Sequence, residues 1–178
     1  MDATDAELIA RVLTDDDPRA FEELVERYQS PVRALLLRLT RSNQVLSDEL
    51  AQDTFLQAYR SLRGFKGQAK FSTWLHSIAY REFLAHMRSQ RVTEPFEDEE
   101  HGTAVQAGTR ASDFNHDLEI AMQSLSVPER AVLTLCLADG CTHEEAASAL
   151  NLPLGTVKTH VARGREKLKL SLAEWQTR

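Results

Sequence analysis

Between Thr93 and Phe114 the chain carries few large apolar side chains, and it holds Pro95, Gly102, Gly108 and the run Glu97-Asp98-Glu99-Glu100. A stretch of this length and composition is not expected inside a compact domain and reads as a linker. It interrupts any core that would run the length of the chain. About 92 residues precede it and about 60 follow it, and a helical module of the smaller size folds alone but only marginally. We assign residues 1–92 and 115–178 to two domains and residues 93–114 to the linker.

Both flanks have helical periodicity, and neither has a convincing strand alternation. Leu8, Ile9, Val12 and Leu13 form a first apolar stripe. Asp17 is placed to cap a second helix with Pro18 at its first position, and Phe21, Leu24, Val25 and Tyr28 mark its buried side. Pro31 is expected to kink or restart that helix before Leu35, Leu36 and Leu39 continue the face. A third helix is expected from Ser47, with an inner stripe of Ala51, Phe55, Ala58 and Leu62, and a fourth from Phe71 to Arg91. After the linker, Leu118, Ile120, Ala121, Met122 and Leu125 suggest a helix. Ser126-Val127-Pro128-Glu129 opens the next one, which Gly140 stops. The expected fold class is all-α, with two small helical domains joined by a flexible acidic linker.

The net charge of −6 conceals a segregated pattern. Residues 1–26 carry two basic and nine acidic groups, and residues 92–117 carry one and seven. Residues 60–91 carry seven basic groups against one acidic, and residues 153–170 carry five against one. Counterion release depends on the charge that faces the phosphates, so an acidic chain can still present two nucleic-acid surfaces. With 42% apolar and 27% charged residues the composition is that of a globular protein rather than a disordered one. No run is long and apolar enough to span a bilayer. The acidic N-terminus lacks the pattern of a signal peptide, and the two cysteines fit a reducing compartment; a cytoplasmic location is expected.

The stretch Thr142 to Leu168 reads as a DNA-binding helix-turn-helix. Thr142 caps a short helix, with Glu145 at capping-box spacing. Ala147 is small enough for a second helix to cross it. Asn151 stands where the turn needs a left-handed residue. In the last helix, Leu154, Val157, Val161, Gly164 and Leu168 form one buried stripe. Thr156, Lys158, Thr159, Arg163 and Glu166 then face outward, where they reach base edges and phosphates. Arg165, Lys167 and Lys169 suit the DNA backbone.

The fourth helix has a second basic stripe made of Lys70, Thr73, Ser77, Arg81, Arg88 and Arg91, with Trp74 beside it. Cations holding phosphates next to an aromatic face suit unpaired nucleotides, although core packing would equally explain Phe71, Trp74 and Tyr80. On the third helix, Asp48, Glu49, Gln52 and Asp53 line an acidic side. It is either a hydrated face or a dock for a basic partner.

These residues resemble a known family. Ser47-Asp-Glu-Leu-Ala-Gln-Asp-Thr-Phe-Leu-Gln-Ala-Tyr-Arg60, Phe65-Lys-Gly and Phe71-Ser-Thr-Trp-Leu75 resemble region 2 of bacterial RNA polymerase sigma factors. Leu152-Pro-Leu-Gly-Thr-Val-Lys158 resembles region 4. Two such regions with little else resemble the extracytoplasmic-function (ECF) group. The resemblance implies that Asp48, Glu49, Leu50, Gln52, Asp53 and Phe55 bind the clamp helices of the core polymerase β′ subunit. It implies that the loop from Gly64 to Lys70, with Lys66, captures a flipped base of the −10 element, and that Lys70, Thr73, Trp74, Ser77, Arg81 and Arg88 hold the −10 strand. Region 4 is then expected to read the −35 duplex through Thr156, Lys158, Thr159, His160, Arg163, Arg165 and Lys167 and to touch the β flap, with an anti-sigma or other regulatory protein as a further partner. Arg81 stands where relatives often have Asn, Thr159-His160 replaces Ser-Arg, and Asn151 replaces the usual turn Gly, so base preference is not transferable from relatives.

Among rival readings, Thr156-Val-Lys-Thr-His160 also resembles the output domain of response regulators and quorum-type activators. Those proteins carry a receiver or ligand-sensing domain first, whereas the first 92 residues here are expected to be all helical. No phosphate-binding Gly-rich loop, nucleophile elbow or His-Glu-x-x-His motif is present, so no enzyme activity and no cofactor is expected. Cys136, Cys141 and His143 lack a fourth ligand at useful spacing for a metal site.

Overall fold

Capping side chains set most of the helix starts. Thr4 accepts from Glu7 N and Glu7 bonds back to Thr4 N, opening α1 (Asp5–Asp15). Asp17 accepts from Arg19 N at the start of α2 (Pro18–Leu39). The computed structural model describes residues 3–93, 118 and 120–176; apart from Thr93, the stretch read as a linker lies outside them, as does the side chain of Arg91. Further elements are α3 (Gln44–Ser61), a 3₁₀ turn (Leu62–Gly64) and α4 (Phe71–Thr93). After a helical turn over residues 120–123 come α5 (Val127–Leu133), α6 (His143–Leu150) and α7 (Leu154–Gln176). Among the described residues there is no strand.

Two expectations for the first half are corrected. Pro31 does not restart α2, which runs through it as one helix. The missing N–H removes a single rung, and Leu24, Val32, Leu35 and Leu36, all fully buried, hold the helix on both sides of it. The third helix begins a turn before Ser47, because Asn43 accepts from Leu46 N and is the true cap. Its buried stripe is Ser47, Leu50, Thr54 and Ala58, while Ala51 and Phe55 are only half-buried. Ser47 and Thr54 tolerate burial because each hydroxyl donates to a carbonyl of its own helix, Gln44 O at 3.0 Å and Leu50 O at 2.7 Å.

The second half follows its local signals closely. Ser126 N donates to Glu129 Oε2 at 2.9 Å at the start of α5. That helix widens into a π turn over Thr134–Ala138 and ends before Gly140, whose φ of +66° only glycine adopts readily. Thr142 and Glu145 form the expected capping box on α6, and Asn151 takes the left-handed conformation at φ 53°, ψ 47°. The helix-turn-helix therefore has the turn geometry that its sequence dictates.

The two halves do not keep separate cores. Their buried residues form one continuous cluster in which α6 packs on α4 and α5 packs on α2. Arg130 of α5 is 2% exposed. Its guanidinium donates to Arg38 O at 3.1 Å and Leu39 O at 3.4 Å, at the carbonyl end of α2, and to Leu125 O at 2.9 Å. A cation is favoured at that end of a helix, where the last carbonyls lack intrahelical donors.

Candidate nucleic-acid and polymerase interfaces

The outer face of α7 is the first surface. Val157, Val161 and Gly164 are buried and Leu154 and Leu168 half-buried, as the spacing predicts. Lys158, Thr159, Arg163, Arg165 and Glu166 are exposed, and Thr156 and His160 half-buried. Gly164 is there because α7 crosses α5 closely: a Cβ at this position would lie 2.6 Å from Leu133 Cδ1. Lys167 is exposed as well, with its ammonium 2.8 Å from Glu129 Oε2 of α5. Burial opposes ionisation of Glu129, but the bonds from Lys167 and Ser126 outweigh it and hold the carboxyl below its ordinary value.

On α4 the basic stripe is only partly open. Lys66, Lys70, Arg81 and Arg88 are exposed, and Trp74 and Ser77 are half-buried. Thr73 is corrected: it is 1% exposed, on the flank of α4 that carries buried His76 and Tyr80. α6 packs on α4, which the helical spacing of α4 by itself does not show. Trp74 tilts against Phe65 at 5.1 Å and Phe71 at 5.5 Å, and Phe71 is itself buried. Trp74 therefore shares both expected characters, with one side in an aromatic cluster and the rest reachable.

His76 is 2% exposed and its Nε2 lies 3.6 Å from Asp139 Oδ2, beyond hydrogen-bonding distance. Burial pushes the imidazole down to about 4 and the Asp139 carboxyl up to about 6. At neutral pH a neutral imidazole thus faces a carboxylate, with Arg38 the cation that favours its charge. Burial also raises both thiols, Cys141 to about 11, so neither is a ready nucleophile.

The outer face of α3 is the third surface. Glu49, Gln52 and Asp53 are exposed there. Asp48 is half-buried and paired bidentately with Arg33, at 2.5 Å and 3.0 Å. Leu50 is corrected, since at 4% exposure it belongs to the inner stripe; Phe55 is half-buried against the core. The face also carries exposed apolar residues: Val45, Leu56 and Tyr59 are 71%, 48% and 42% exposed. At 100° per residue all three fall on the side of Glu49 and Gln52, so the face is apolar in its middle and acidic at its margins.

A helix-turn-helix with a cationic outer face, a separate cationic aromatic helix and an acidic apolar flank define a helical DNA-binding protein that also docks on another protein. Residues 24–93 match the family model for Sigma-70 region 2, and residues 116–168 that for Sigma-70, region 4. The chain is 31% identical to the ECF RNA polymerase sigma-E factor of Haemophilus influenzae, over 93% of this chain and 94% of that protein. It is 30% identical to the RNA polymerase sigma-H factor of Pseudomonas aeruginosa, over 94% and 93% of the two chains. Its fold is similar to CnrH in complex with the cytosolic domain of CnrY, with a TM-score of 0.72 and 24% identity over 96% of this chain and 97% of that one. It is also similar to the Bartonella quintana sigma factor RpoE in complex with the anti-sigma factor NepR, with a TM-score of 0.69 and 24% identity over 86% and 96%.

The chain belongs to the ECF group of RNA polymerase sigma factors. These are transcription initiation factors that bind core RNA polymerase and direct it to promoter DNA. The activator reading is not favoured, because the first half matches sigma region 2 and not a receiver domain. No described helix is long and apolar enough to cross a membrane.

Proposed function

We propose that each of the three surfaces has one task in initiation. Residues 1–92 bind core polymerase and the −10 element, residues 115–178 bind the −35 element, and the acidic stretch 93–114 joins them. On α3, Glu49, Gln52 and Asp53 dock the β′ clamp helices through a polar rim, around an apolar centre of Val45, Leu56 and Tyr59. On α4 and its preceding loop, Lys66, Lys70, Ser77, Arg81 and Arg88 hold the −10 phosphates, and Trp74 offers a stacking face. On α7, Lys158, Thr159, Arg163 and Arg165 enter the −35 major groove. The factor works in the cytoplasm, and an anti-sigma protein of the kind bound to the Bartonella quintana RpoE restrains it.

The observation that carries this reading is the open cationic face of α7, set on a helix-turn-helix whose caps and left-handed Asn151 agree with its sequence. In vitro transcription with core polymerase and the promoter of the chain's own operon tests it. A start-site-specific transcript that depends on this protein is expected, and none at any such promoter would overturn the reading.

Two substitutions separate the tasks. Asp53→Arg is expected to weaken core binding about tenfold, equivalent to ~1.4 kcal/mol, without changing the far-UV circular dichroism. Titration of labelled core at physiological salt measures this, and undiminished affinity would exclude Asp53 from the dock. Arg163→Ala is expected to weaken binding of holoenzyme to −35 duplex by about 1–3 kcal/mol if the guanidinium is bidentate to a base. The loss should be largest on the preferred −35 sequence; equal loss on all duplexes would make Arg163 a phosphate contact instead.

A further inference from the structure

We infer that the middle of α7 selects thymine methyl groups in the −35 duplex, and that Thr159 and Ala162 are the residues that do so. This rests on the assignment of α7 to the −35 major groove made above.

Helix geometry decides which residues come nearest to the base edges. Val157, fully buried, marks the inner side of α7. At 100° per residue, Gly155, Thr159 and Ala162 lie within about 40° of the opposite direction. Lys158 and Arg163 lie about 60–80° away from it, one on each side. All five are exposed. The first turns of a recognition helix meet the base edges, so the three small residues face the floor of the groove. The two long cations stand over its walls, where they reach phosphates or, for Arg163, a guanine at the margin.

The chemistry of the middle is aliphatic. Thr159 Oγ1 donates to Gly155 O at 2.9 Å, so its only hydroxyl proton is used within the helix. What it offers outward is a methyl group and oxygen lone pairs. Ala162 offers a methyl group alone. Neither side chain can donate to N7 or O6 of guanine or to N7 of adenine. The base-edge feature that an aliphatic group recognises in the major groove is the C5 methyl of thymine.

Gly155 supplies the room that such short side chains need. Its backbone is helical, and a Cβ built on it would meet nothing within 4 Å, unlike one at Gly164, which would meet Leu133. Packing among the described residues therefore does not call for glycine at 155, and alanine would favour the helix more. A bare backbone at the outermost point of the first turn lets the helix approach closely enough for methyl groups one and two turns further on to touch methyl groups on the bases.

Replacing thymine by deoxyuridine, which removes the C5 methyl and keeps the base pairing, tests this in the holoenzyme. Two fragments of the promoter of the chain's own operon compete against one labelled duplex: the natural fragment, and one with deoxyuridine at every thymine of the −35 element on both strands. The wild type should bind the deoxyuridine fragment about fourfold more weakly for each methyl contacted, the factor that burial of one such group brings. Thr159→Ser, which keeps the hydroxyl and loses the methyl, should lower that ratio, and Thr159→Ser/Ala162→Gly should bring it to one. Thr159→Val, which keeps a methyl and loses the hydroxyl, should retain the ratio. Circular dichroism and core-polymerase binding check that each variant is folded. Equal binding of the two fragments by the wild type, a ratio that survives in the double variant, or a −35 element with no thymine on either strand would overturn the methyl readout. A holoenzyme that binds the natural fragment no more tightly than one with a scrambled −35 element would instead overturn the assignment of α7 to that element, and the methyl readout with it.

Discussion

Arg130→Ala is expected to split unfolding into two transitions, the second half melting at lower urea than the first. The wild-type side chain is buried and donates to three carbonyls, two of them on the far side of the boundary between the halves. Truncation leaves those acceptors without the cation and opens a cavity the size of most of an arginine. Together these cost about 2–4 kcal/mol. The loss falls on the second half, because the first half retains its own interior of Leu8, Leu24, Leu35, Leu36, Leu75 and Phe83. A module of roughly 60 residues has little stability to spare when its support is removed. Arg130→Lys should recover only part of the effect, since one ammonium cannot span carbonyls that a planar fork reaches together. Urea titration followed by far-UV circular dichroism measures this; a single transition at the wild-type midpoint in Arg130→Ala would show that the two halves are not coupled through this side chain.

Gly164→Ala carries the second large effect, and it separates the two DNA surfaces. The new methyl group would sit 2.6 Å from Leu133 Cδ1, and Leu133 is itself 2% exposed, so one of the two must shift. Forcing α7 away from α5 should cost about 1–3 kcal/mol, against the small gain in helix propensity that alanine brings. The recognition helix then no longer sits squarely on its support, so duplex binding at −35 should fall while core binding through α3 stays at the wild-type level. Leu133→Ala is expected to be destabilising by itself, by about 2–5 kcal/mol. Combined with Gly164→Ala it should cost less than the two single losses added, because the first change makes room for the second. A strictly additive double variant would mean that the close crossing is not what requires glycine.

Both predictions concern contacts between elements, and this is where the readings diverged. Caps and turns were legible in advance: Asp17, Ser126, Thr142 with Glu145, and Asn151 all do what their chemistry suggests. The buried stripe of α7 was legible too, and with it the outward set of Lys158, Thr159 and Arg163. The third helix was misread because its buried side includes Ser47 and Thr54, whose hydroxyls satisfy themselves on their own backbone. Helical spacing by itself sets Phe55 on the inner stripe, whereas the family resemblance sets Leu50 and Phe55 on the dock; neither points to Val45, Leu56 and Tyr59.

By itself, then, the sequence determined that the described chain is helical, where most of its helices start and stop, and that two of them bear cationic stripes, because these depend on interactions within one or two turns. Which part of a stripe meets solvent was decided by tertiary packing. Buried His76 faces Asp139 just over sixty positions away, and Arg130 finds two of its three acceptors about ninety positions away. The physical reason is range. A side chain's capping or helical preference is set by its neighbours along the chain, whereas its burial is set by whichever surface the rest of the molecule lays against it.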